Sequence, residues 1–83
     1  MNYEERVRKI LDDQIEKLAE YVNKGSSLVE MQMGEVTGML TMSLFLDVIT
    51  QEEYQRLNAA CRALVFDNQR KPIGEYIEAN KKG

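Results

Sequence analysis

At 83 residues the chain is long enough for one domain, residues 1–83, and no more. A domain this short buries only about 60% of the surface its unfolded chain exposes, so oligomerisation is an ordinary route to extra stability. Apolar residues make up 43% and charged residues 30% of the chain, which excludes disorder; the net charge of −3, with no strongly basic segment, weighs against a nucleic-acid binder.

The first predicted helix spans about residues 3–24. Tyr3, Val7, Leu11, Ile15, Leu18 and Val22 recur at helical spacing, and Ile10 widens their stripe. Glu4–Arg8, Glu5–Lys9, Asp13–Lys17 and Glu20–Lys24 stand four residues apart in the favourable order. Asn2 with Glu5 has the spacing of a capping box, and Gly25 suits the left-handed position that ends a helix.

The second helix is expected over about 28–49, with Ser27 as N-cap and Glu30 completing a capping box. The turn before it is short, which makes the first two helices antiparallel neighbours. Its second half, Met39 to Leu46, is apolar nearly all round, as a helix buried on every side is. This segment is therefore expected to be the central element, enclosed around its circumference. Its single-stripe neighbours offer limited cover, and leftover apolar surface would be buried against a second copy or a partner.

A third helix, about 51–66, opens on Thr50 and Glu53, another capping-box pair, with Ile49 and Tyr54 at the positions of a hydrophobic staple. Tyr54, Leu57, Cys61, Leu64 and Val65 form its apolar stripe. After the polar loop 67–71, Pro72 opens a short last helix, about 72–79, with Ile73, Tyr76 and Ile77 on one face; Lys81-Lys82-Gly83 reads as a frayed tail. The expected fold is all-α: a helical hairpin, a third packed helix and a short C-terminal helix, assembled as a dimeric bundle.

The chain lacks histidine, the commonest general base and a frequent metal ligand, and shows no calcium loop or phosphate-binding loop. The carboxylate pairs Asp12-Asp13 and Glu52-Glu53 read as solvated faces or negative first turns rather than catalytic dyads. Cys61 lies on an apolar stripe and reads as a small core residue. No catalytic residue, metal site or cofactor is assigned. The charged run Met1 to Lys9 is not a secretory signal, and the longest apolar stretch is far shorter than the roughly 20 residues of a membrane span. The single cysteine fits a reducing compartment, so a cytoplasmic setting with no membrane contact is expected.

Two features of the second helix point to an interface. Gly34 and Gly38 are spaced as small residues that allow close backbone approach; a crossing within the chain is the favoured reading, a self-association seam or partner groove the other. Met31, Met33, Met39 and Met42 cluster beside Phe45, where methionine serves core packing first and adaptable binding surfaces second. Met31, Gly34, Gly38, Met42 and Phe45 are the candidate interface. Arg56, Arg62, Arg70 and Lys71 are candidate polar contacts to an acidic partner. Residues 43–54 superficially resemble a helix-turn-helix. The turn lacks glycine, with Val48 near that position, and Glu52-Glu53 stand where phosphates would lie.

The expected function is a non-enzymatic protein–protein interaction module: a small, homodimeric, stoichiometric regulator, inhibitor or adaptor, of phage or mobile-element origin. The alternatives are a dimeric DNA-binding regulator and an enzyme built on a carboxylate pair.

Overall fold

The computed structural model describes residues 2–82, Lys82 in its backbone alone. Among these residues the chain is all-α, with helices α1 (Tyr3–Lys24), α2 (Val29–Phe45), α3 (Gln51–Phe66) and α4 (Lys71–Lys82). None of them is long and apolar enough to cross a membrane.

Local chemistry accounts for most helix ends. Asn2 caps α1: its Oδ1 accepts from the Glu5 backbone N–H at 2.8 Å. Gly25, at φ 64°, turns the chain left-handed after α1. There the Gly25 N–H donates to Val22 O at 3.1 Å and the Ser26 N–H to Tyr21 O at 2.9 Å, the bond pair of a Schellman motif. Thr50 caps α3, its Oγ1 accepting from the Glu53 N–H at 3.1 Å.

The expected Ser27–Glu30 box does not form. Helix α2 starts at Val29 after Leu28, with no side-chain cap, and the Ser26 hydroxyl oxygen instead accepts from the Leu28 N–H at 3.1 Å. Ser26 thereby stabilises a turn that takes up the residues expected to begin the helix.

Helix α2 also ends earlier than expected, at Phe45. Asp47 adopts φ 57°, its N–H donating to Leu44 O at 3.1 Å and the Val48 N–H to Ser43 O at 2.9 Å, a second Schellman stop. The left-handed residue of this turn is Asp47, not Val48. Because a side chain there costs energy that glycine avoids, D47G is expected to raise unfolding stability by about 1 kcal/mol, read from denaturant midpoints.

The core forms where the helical stripes meet. Leu11, Ile15 and Leu18 of α1, Met33, Val36 and Leu40 of α2, Leu57, Cys61 and Leu64 of α3, and Ile73 of α4 pack together with Ile49. Among the described residues, helices α1 and α3 each touch the other three, whereas α2 and α4 touch only α1 and α3. Helix α2 packs most heavily on α1 and also on α3, while α4 closes the far side of that pair without reaching α2 among the described residues. The stripe of α1 is narrower than expected: Val7, Leu11, Ile15 and Leu18 are buried, while Tyr3 and Ile10 are exposed. Helix α4 is longer than expected at both ends: it opens at Lys71, one residue before Pro72, and residues 80–82 continue it; Met1 and Gly83 lie outside the described residues.

Candidate interaction surface

At about 100° per residue, positions 31, 34, 38, 42 and 45 fall in one narrow band along α2. The opposite side supplies the core contacts: Gln32, Met33, Val36, Leu40 and Ser43 are all buried. Once that side docks on α1 and α3, the band must point outward. Met31 is 56%, Met42 53% and Phe45 83% exposed, with Leu28 and Leu46 exposed beside them. Glu35 is the only exposed charged residue between Met31 and Phe45.

Two expectations for this helix are corrected here. The Met39–Ile49 segment is not enclosed: Leu40, Ser43 and Ile49 are buried, Met39, Leu44 and Val48 are half-buried, and Met42, Phe45 and Leu46 are exposed. Enclosure therefore cannot be the ground for the arrangement of helices, which rests on the core cluster shared by all four. Nor do Gly34 and Gly38 serve a close crossing within the chain. A Cβ built on either meets nothing within 4 Å. Two interior glycines cost a helix about 2 kcal/mol relative to alanine, and no intrachain packing offsets it. The methionines divide: Met33 is buried, Met39 packs at the core edge, and Met31 and Met42 face out.

The candidate cations do not gather on this face as a set. Arg56 and Arg62 are exposed on α3, where the Arg62 guanidinium lies 5.3 Å from the centre of the exposed Phe66 ring. Arg70 and Lys71 stand at the α3–α4 junction, and α4 does not touch α2.

The ionisable groups sit mainly in structural pairings. Arg8 of α1 grips Glu53 of α3 through both oxygens, at 2.6 and 3.2 Å. Arg8 is thereby drawn from the expected Glu4 pair. Among the other expected pairs Glu20–Lys24 forms at 2.8 Å, while Lys9 reaches forward to Asp13 at 3.3 Å. The Tyr76 hydroxyl of α4 donates to the Asp12 carboxylate. Burial raises the Asp12 carboxyl above its ordinary range despite that bond. Burial and the adjacent carboxylate also raise the Tyr76 phenol. Gln32, itself buried, donates to the Gln14 backbone carbonyl at 3.0 Å and to its Oε1 at 2.6 Å, tying α2 to α1.

The chain pattern contained partial signals for these contacts. Arg8 and Asp12 are four residues apart on α1, and a tyrosine on a short apolar face needs a partner for its hydroxyl. Nothing in the pattern paired Gln32 with Gln14. Likewise, Leu28 and Leu46 were not foreseen as flanks of the outward face.

The Asp12–Tyr76 bond has a pH signature. A phenol raised in the folded state contributes stability in full below its unfolded value, and that contribution is lost as pH rises through the folded value. The raised Asp12 carboxyl has the same sign at acid pH: folding gains as pH falls through its folded value. Y76F is expected to cost about 1 kcal/mol at pH 7 and to flatten the decline above pH 10, read from urea midpoints across pH.

Neither carboxylate pair forms a dyad. Asp12 and Asp13 serve different partners, as does Glu53, and Glu52 is exposed. Cys61 is fully buried, and desolvation pushes its thiol up to about 12, away from thiolate chemistry. No group of three potential metal-ligating side chains is assembled among the described residues. A cleft of about 690 Å³ runs between α1 and α4. It is open, and two ion pairs lie along it, Glu20 with Lys24 and Glu16 with Lys81 at 3.6 Å. Compared with known proteins, the chain matches no family model, no curated protein and no solved structure.

Proposed function

We propose that the protein is a non-enzymatic protein–protein interaction module, a small stoichiometric regulator that acts by presenting the outer face of α2. One observation carries the reading. Met31, Met42 and Phe45 stand exposed on the same side of a helix whose intervening glycines have open space above them. Scattered exposed apolar residues are ordinary; an aligned set with a bare backbone between them is the composition of an interface. Methionine adapts to a partner's contour, and phenylalanine supplies buried area at low rotamer cost. The location proposed for this activity is the cytoplasm.

Duplex recognition draws little support from the first turn of α3, where the exposed Gln51 and Glu52 would meet phosphates. The test is photo-crosslinking in the native host, with a benzophenone amino acid at Phe45 and, as control, at Lys17 on the charged face of α1. The reading expects discrete protein adducts from position 45 and none from position 17. Absence of any adduct at position 45 would overturn it.

A further inference from the structure

This inference rests on the reading of α2 as an interaction face and names the occupant. We propose that the occupant is a second copy of the chain, its α2 lying antiparallel to the first across a two-fold axis at Gly38. Met31, Gly34, Gly38, Met42 and Phe45 are separated by 3, 4, 4 and 3 positions, a series that reads the same from either end. Two such helices in antiparallel register place Gly38 on Gly38, Gly34 against the second copy's Met42, and Met31 against its Phe45. Every large side chain then meets a glycine or forms a sulfur–aromatic pair. A parallel register would stack Met42 on Met42 and Phe45 on Phe45 while leaving Gly34 facing Gly34. Size complementarity selects the antiparallel arrangement, and a two-fold interface requires that self-matching.

The glycines give independent support. Each lies inside α2 with nothing within 4 Å of a built Cβ, so the monomer has no packing use for it. At a seam between copies their bare backbones let the helix axes approach closely. Charge agrees with this placement. The five-residue stripe is uncharged, and antiparallel helix dipoles attract. Glu35 lies three positions from the axis, so the two carboxylates stand about 9 Å apart along the helices, near the screening length in physiological salt. On that flank Leu28 sits close to the second copy's Leu46. Such a helix pair buries on the order of 1,000 Å² in total, the low end of specific interfaces, so association in the micromolar range is expected.

The test combines sedimentation equilibrium with cysteine crosslinking, leaving the buried Cys61 in place. The wild-type mass should rise from 9.6 kDa to twice that value with concentration. F45E should raise the dissociation constant at least tenfold with an unchanged helical spectrum. Under mild oxidation G38C should form a covalent dimer. M31C alone should not, because its two copies lie about 21 Å apart along the helices, whereas M31C mixed with F45C should. A constant monomer mass up to millimolar concentration overturns the inference. So does a dimer that F45E leaves intact, or one in which M31C crosslinks to itself while G38C does not. The photo-crosslinking result separates this inference from the broader reading: adducts from Phe45 to a different protein alone would keep the interaction module and remove the second copy as its occupant.

Discussion

Replacing Leu11 by alanine is expected to cost about 3 kcal/mol of stability and to lower the melting temperature by roughly 12–24 °C, read by circular dichroism. Leu11 is fully buried on α1, one of the two helices that touch all the others. Its side chain packs in the cluster shared by all four helices. Truncation leaves a cavity that rigid helices cannot collapse around. A chain of 83 residues has a total stability of about 4–12 kcal/mol on ordinary scaling, so this one change removes a large share. F45A removes a larger side chain but should shift monomer stability by less than about 0.5 kcal/mol, because Phe45 is 83% exposed. The contrast separates residues that hold the fold from those that face outward.

The second large effect is expected at Ile73. This residue is buried on α4 and joins the common core. Among the described residues helix α4 touches only α1 and α3, and Tyr76 adds one hydrogen bond to Asp12. I73D would place a carboxylate among apolar side chains with no partner to compensate it, costing more than about 3 kcal/mol if the helix stayed docked. Release of α4 is the cheaper response. Amide hydrogen exchange should therefore accelerate across residues 71–82 at least 100-fold, while Leu57 and Leu64, buried in the common core on α3, keep slower exchange than α4. Uniform loss of protection along the chain would show that α4 does not open separately.

The helices were legible because their signals agree. Stripes at helical spacing, Asn2 and Thr50 as caps, and Gly25 as a stop all act within a few residues, so chain order alone reveals them. The ends of α2 were not. Ser26 competes with Ser27 for the start, and the stop uses Asp47 in a conformation usually given to glycine. Which face of α2 is covered was also hidden. From Met39 to Leu46 an almost wholly apolar run carries no moment to show which side docks. Only the placement of α1 and α3 decides it, and they take Leu40 and Ser43 inward while leaving Met42 and Phe45 outside. Long-range polar contacts such as Arg8–Glu53 lie 45 positions apart, beyond any local pattern. The five residues proposed for the interface were nonetheless readable as a set, since Met31, Gly34, Gly38, Met42 and Phe45 share one helical band.

Methionine oxidation at nanomolar protein concentration tests most directly whether that band faces solvent in the single chain. With dilute peroxide and peptide mass spectrometry, Met31 and Met42 should form sulfoxide at least tenfold faster than Met33, which the core covers. Equal protection of all three methionines under those conditions would contradict an open α2 face, and the proposed role would fall with it.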